Sequence, residues 1–209
     1  MNVSATLNVF RLLVNQQLCL PHLTISSFDK IPIPLAFPSS MIQAQRQPRI
    51  KAIVLDKDNC FAKAHDDKVW PDYNDTWDKL RAQYPDASLL IVSNSAGTND
   101  DKNHEQAKAL EERTGVKVLR HTTKKPGCHT EIMQYFLENN ITKNAEEVVI
   151  VGDRLFTDVL MANMMGAWSV WIRDGVVRSE SLICQIERAA YDKLTQNTNN
   201  PMLPPLPKY

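Results

Sequence analysis

The sequence predicts an α/β fold with a central, mainly parallel sheet flanked by helices. Two observations carry the prediction. From Arg49 onward short aliphatic runs alternate with segments whose apolar residues recur at helical spacing, and Gly115 and Gly166 stand where two of those segments would need left-handed caps. The 209 residues, 43% hydrophobic and 23% charged, suffice for one substantial core.

In chain order, Ile50 to Leu55 is the first aliphatic strand, and Cys60 to Asp72 follows as an irregular polar stretch. Tyr73 to Tyr84 has helical spacing through Trp77, Leu80 and Tyr84, and Ser88 to Val92 is a second strand. Asn99 to Arg113 reads as a polar helix, Val116 to Arg120 as a strand and Cys128 to Asn139 as a helix. Glu147 to Val151 is the next strand, Thr157 to Met165 a helix, Trp168 to Ile172 the last strand and Ser179 to Leu194 an amphipathic helix. The longest aliphatic runs fall far short of the roughly 18 apolar residues that a spanning helix needs. Cys19, Cys60, Cys128 and Cys184 show no C-x-x-C spacing, so reduced thiols are expected.

Charge separates two regions that the total conceals. Lys+Arg 24 and Asp+Glu 24 cancel overall, which argues against a nucleic-acid partner. Residues 1 to 50, however, carry Arg11, Lys30, Arg46 and Arg49 against Asp29 alone, lack glycine, and hold five of the twelve prolines. Val3, Leu7, Phe10, Val14 and Leu18 share one helical face, and an apolar run broken by Pro21, Pro32, Pro34 and Pro38 follows. Such a segment suits an anionic membrane surface, or packing on the domain or on another subunit, as in a homo-oligomer. Arg11 is the sole basic residue of the first 29, which makes a transit peptide the weaker reading. The expected organisation is therefore a contact segment at 1–48, an α/β domain at 49–194 and a Pro-rich tail at 195–209.

Polar residues cluster at strand ends. Asp56-Lys57-Asp58-Asn59 follows the first strand, Ser93-Asn94 the second, Lys125-Pro126 lies just past the third, and Gly152-Asp153-Arg154-Leu155-Phe156-Thr157-Asp158 follows the fourth. Fifteen aspartates give about one D-x-D by chance, so the first motif alone decides nothing. Its placement does, because open parallel sheets bind ligands beyond the carboxyl ends of their strands. Taken singly, Asp58 would pass as a turn residue, Ser93 or Asp158 as a helix cap and Lys125 as a surface charge. Four strand ends together are harder to explain that way.

These motifs resemble those of the haloacid dehalogenase (HAD) superfamily of phosphatases over roughly residues 49 to 175. Within it, the D-K-D-N start, S-N-S-A-G, K-K-P and G-D-R-L-F-T-D-V-L-M-A-N, together with Asn2 to Pro34, look most like the fungal mitochondrial phosphatidylglycerophosphatases. Asn59-Cys60 departs from the Gly-Thr or Thr-Val common in the superfamily. The resemblance implies a Rossmann-like core and a Mg2+-dependent phosphatase acting through an aspartyl-phosphate. By the same resemblance Asp56 is the nucleophile and Asp58 the general acid and base. Asp56 and Asp153, with the Asp58 carbonyl, would hold Mg2+. Ser93 and Asn94 would bind phosphate oxygens with Lys125, for which Lys124 is the alternative, and Asp158 would orient Lys125 or a water on the cation. Arg154 is expected either at the substrate phosphate or in an ion pair.

The 37 residues from Asp56 to Ser93 and the 32 from Ser93 to Lys125 hold no cap domain, so the site is expected to be capless, with Cys60 to Asp72 as a small flap. An open rim suits a phosphate carried on something large. The implied substrate is phosphatidylglycerophosphate, on the route to cardiolipin, at the matrix side of the mitochondrial inner membrane with peripheral attachment. A phosphoprotein or a nucleic-acid 3′-phosphate is the alternative substrate, and a phosphoacceptor signalling module the alternative of another class.

Overall fold

The computed structural model describes residues 15–42, 47–196 and 202–207. Six strands form one sheet in which every pairing is parallel, in the order β1-β6-β5-β2-β3-β4. They are β1 (Leu23–Ile25), β2 (Ala52–Leu55), β3 (Leu89–Ile91), β4 (Lys117–Val118), β5 (Val148–Gly152) and β6 (Trp168–Ile172). The helices are α1 (Asn74–Gln83), α2 (Glu105–Thr114), α3 (His129–Glu138), α4 (Leu160–Met165) and α5 (Leu182–Thr195). The chain runs outward from β2 to β4 and then returns to the other side of β2 as β5. That reversal opens a crevice at the carboxyl end of β2.

Strand side chains alternate between two cores. Ile53, Leu55, Leu89, Ile91, Val149, Val151, Trp168 and Val170 face one side, where Trp77 and Leu80 of α1 and Ala107 and Leu110 of α2 cover them. Ala52, Val54, Leu90, Val148 and Ile150 face the other, against Ile132 and Phe136 of α3 and Met161 and Ala162 of α4. A sheet buried on both faces is why these strands read as unbroken aliphatic runs. Gly115 and Gly166 close α2 and α4 in left-handed conformation, as expected. The first turns of the segment expected to be helical from Thr157 differ: Leu155–Val159 forms a wide π turn before α4 begins.

The boundary at residue 48 does not divide two packing units. Phe28, Ile31, Leu35 and Phe37 lie in the first core, and Leu23–Ile25 adds a sixth strand beside β6 in the register Leu23 with Val170. Of the expectations for this segment, packing on the domain is what residues 19–37 do. The cause is the exposed edge of β6 and the apolar face beside it, which an apolar, proline-broken segment covers without long regular structure. The amphipathic face drawn through Val3, Leu7, Phe10 and Val14 lies outside the described residues. All four cysteines are free and buried. Trp70 packs against the first core, with its indole N–H directed at Asp72.

His22 ties both chain ends to the sheet. Its backbone N–H donates to Ser169 Oγ at 3.1 Å, and Ser169 N–H donates to its Nδ1 at 3.1 Å. With Nδ1 an acceptor, Nε2 carries the hydrogen and donates to the Pro205 carbonyl at 3.1 Å. The Pro-rich tail is thus pinned to the surface through Pro205. Burial lowers the imidazole pKa from 6.5 to about 4, with the Pro205 contact only partly opposing it. The neutral ring contributes stability fully present above pH 6.5 and lost as pH falls towards 4, about 3 kcal/mol at the limit. Urea unfolding should show the wild type losing more stability than His22→Gln between pH 7 and about pH 5. Equal losses would remove His22 as the cause.

Candidate active site

The strand-end motifs converge at the carboxyl edge of β2, β3 and β5. Lys125 is the centre, 2% exposed, with its Nζ 2.5 Å from Asp56 Oδ1 and 2.7 Å from Asp158 Oδ1. Of the two lysines, Lys125 is thus the one in the cluster, and Lys124 pairs instead with Asp100. Asn94 holds Lys125 from the backbone side, its Oδ1 accepting from Lys125 N–H at 2.7 Å. Asp158 uses its other oxygen to accept from Arg154 N–H at 3.2 Å. A Cβ on Gly152 would stand 2.3 Å from Asp158 Cγ, so only glycine lets this carboxylate lie against β5.

Asp56, Asp153 and Asp158 each place a carboxylate oxygen within 4.8 Å of the others'. Three acidic groups therefore face one ammonium, and their acidities show the imbalance. Burial pushes Asp56 up to about 6 even against Lys125, with Asp158 adding to the rise. Burial, then Asp56 and Asp158, hold Asp153 well above the usual carboxylate range. Burial opposes the charge of Lys125, yet Asp158 and Asp56 raise it above the ordinary lysine value, so it stays protonated. Two further positive charges would balance the group, and an all-oxygen donor set of this kind could hold a hard divalent cation.

Asp58 is more exposed. Its Oδ1 accepts from Lys57 Nζ at 2.6 Å and from His65 N–H at 2.8 Å, which anchors it to the segment expected as a flap. That flap is smaller than expected, because Cys60, Phe61 and Ala62 are buried in the core and the exposed part begins at Lys63. Ser93 is fully buried at the end of β3, and its Oγ accepts from Ser95 N–H at 3.2 Å. It sits beneath the turn and is not among the residues lining the cleft, whereas Asn94 is. Arg154 forms the ion pair of the two expectations: its Nε donates to buried Glu187 at 2.8 Å while the side chain keeps one edge on the cleft.

Above this centre opens a cleft of about 690 Å3, with Asp56, Lys125 and Asp153 at its buried end and Lys63, Arg154 and Arg178 on its walls. Its far wall, residues 177–181, has no signature in the sequence. Asn59 puts it there: Val177 N–H donates to Asn59 Oδ1 at 3.0 Å and Val176 N–H to the Asn59 carbonyl at 3.2 Å. Asn59 Nδ2 meanwhile donates to Asp153 Oδ2 at 3.2 Å. Gly175, in left-handed conformation, admits this contact, since a Cβ there would meet Asn59 Nδ2 at 2.3 Å. The departure from the superfamily pattern at Asn59 therefore joins Asp153 to the wall of the cleft.

A carboxylate against a lysine, with a second carboxylate two residues on and a third across the floor, suits phosphoryl transfer to an aspartate. Comparison with known proteins places the chain among phosphatases. Residues 3–177 match the family described as mitochondrial PGP phosphatase. The chain is 53% identical over 194 residues to the mitochondrial phosphatidylglycerophosphatase GEP4 of Saccharomyces cerevisiae, covering 93% of this chain and 99% of that one. It is 30% identical over 192 residues to a probable mitochondrial phosphatidylglycerophosphatase of Schizosaccharomyces pombe, covering 91% and 90%. A phosphatidylglycerophosphate phosphatase 1 of Arabidopsis thaliana, named chloroplastic/mitochondrial, is 29% identical over 178 residues, 83% of this chain and 47% of that one. With the strand-end motifs gathered at one buried centre and the match running through most of the chain, this protein belongs to the mitochondrial PGP phosphatase family.

Proposed function

We propose that this chain hydrolyses the terminal phosphate of phosphatidylglycerophosphate, giving phosphatidylglycerol and inorganic phosphate. The observation that carries the reading is the buried Asp56–Lys125–Asp158 chain at the closed end of an uncapped cleft. The names of the relatives supply the substrate. An Asp56 oxygen attacks phosphorus, and the bond to the lipid's glycerol oxygen breaks as that oxygen takes a proton from Asp58. Water then attacks the aspartyl-phosphate, gives its proton to Asp58 and frees Asp56. Both polar contacts of Asp58 fall on Oδ1, which leaves Oδ2 for these transfers. Lys125 holds a fixed positive charge beside the attacking oxygen, and Asn94 fixes Lys125 in turn.

The carboxylates of Asp56 and Asp153 would hold Mg2+, with the Asp58 carbonyl as a further ligand by the resemblance, and the cation would supply the charge that lets an anionic carboxylate approach an anionic phosphate. Asp158 has both oxygens engaged by Lys125 and Arg154 and acts by holding the lysine. Ser93 would support the phosphate through the turn it braces. The reaction would feed cardiolipin synthesis from the matrix side of the mitochondrial inner membrane, with the protein attached peripherally. Among the described residues no helix is long and apolar enough to cross a bilayer.

Purified protein, with Mg2+ or with a chelator, should be offered the lipid phosphate, a phosphopeptide and a 3′-phosphorylated oligonucleotide. Phosphate release from the lipid alone, abolished by the chelator, is the expected result. Preference for either other substrate overturns the assignment, and a long-lived aspartyl-phosphate without turnover would indicate signalling instead.

A further inference from the structure

The start of α5 carries an aliphatic face that the fold does not use. Leu182 is 78% exposed, Ile186 57%, Ile183 44%, and Val177, in the loop before the helix, 56%. Leu182 and Ile186 stand one turn apart, and Ile186 lies between Leu182 and Ile183 around the helix, so the three form one surface. The opposite face of α5 is occupied: Cys184 and Glu187 are buried, and Tyr191 and Leu194 pack beside Trp171. The exposed aliphatics are therefore not a core stripe that lost its partner.

Position gives this patch its meaning. Val177, Arg178, Ser179, Ser181 and Cys184 line the active-site cleft, so the aliphatic face begins where the cleft mouth ends. The same mouth is cationic. Lys63 and Arg178 both line it, and neither is in an ion pair among the described residues, whereas Arg154 is neutralised by Glu187. Glu180 and the partly exposed Asp58, the latter paired with Lys57, are the acidic residues towards this rim. Contiguous exposed apolar surface with cations beside it is what an anionic lipid interface attracts. A second copy seated here would cover the opening through which a lipid phosphate must enter, while a bilayer seated here delivers it.

We propose that Val177, Leu182, Ile183 and Ile186, with Lys63 and Arg178, form the surface by which this protein sits on an anionic phospholipid bilayer, cleft mouth towards the headgroups. The inference deepens the lipid-phosphatase reading and rests on it for the choice of occupant. Residues 19–37 of the N-terminal segment are packed on the sheet and core, so among the described residues this patch is the apolar surface left beside the cleft mouth.

The test uses the full chain and the variant Leu182→Ser with Ile186→Ser, both exposed positions outside the cleft. Cosedimentation is measured with vesicles of phosphatidylcholine alone and of phosphatidylcholine mixed with phosphatidylglycerol. The wild type should bind the mixed vesicles preferentially, and the variant should bind them on the order of tenfold more weakly. Hydrolysis of a water-soluble aryl phosphate should be the same for both, which confirms an intact fold and site. Unchanged vesicle binding overturns the proposal. So does a fall in oligomeric mass of the variant without a change in binding, which would make the patch a contact between copies. Because binding is read without turnover, failure to hydrolyse phosphatidylglycerophosphate would sink the substrate reading while leaving the binding result to decide this one.

Discussion

Lys125→Met should abolish phosphate release and destabilise the metal-free protein by about 3–5 kcal/mol, the usual cost of removing one partner from a buried ionic group. The Nζ atom is the shared partner of Asp56 and Asp158. Without it, three carboxylates within 4.8 Å of one another have no cation in contact. They can respond only by taking up protons or binding a metal, so acid or added Mg2+ should restore much of the lost stability. Neither should restore turnover, because the charge beside the attacking oxygen is gone. Denaturant midpoints with and without Mg2+, beside phosphate release, make the check. A variant as stable as wild type in chelator would show that Lys125 does not hold the acidic cluster together.

Asp56→Asn should be as severe for catalysis and opposite for stability. An amide cannot form the acyl phosphate, so release should fall to a trace, at least about a thousandfold. Burial raises the Asp56 pKa from 3.8 to about 6, so the wild type pays for ionising it. The sign follows: stability is lost as pH rises through that window, because the folded state binds more protons there than the unfolded one. Asn removes this loss while Asp158 still pairs with Lys125. In chelator at pH 7 the variant should be more stable by about 1 kcal/mol or more, raising Tm by roughly 2–4 °C. The advantage should shrink towards pH 4, and Mg2+ should stabilise the wild type more. Calorimetry in chelator across that range tests it; a less stable variant would mean that Asp56 is a net structural asset.

The contrast between what was legible in the sequence and what was not has a physical basis. Strands β2, β3, β5 and β6 were legible because burial on both faces demands aliphatic runs. Asp56, Lys125, Asp153 and Asp158 were legible because each follows such a run, and the sheet brings strand ends together. Strand β1 was hidden: three residues, Leu23 to Ile25, between proline-interrupted segments carry no periodicity. The cleft wall at residues 177–181 was hidden for another reason. Its position depends on Asn59, 118 residues earlier, receiving the Val177 N–H. A contact between two loops leaves no spacing to read, and Arg178 lines the cleft on the wall that this contact holds.

The two outer strands of the sheet have a consequence for how copies of this protein can meet. β1 has three residues and β4 two. Each offers only a few free backbone groups, too short a row for another strand to lengthen the sheet and seed ordered aggregation. Copies of this protein are thus protected from growing into ribbons by edge-to-edge pairing, even where they are crowded together.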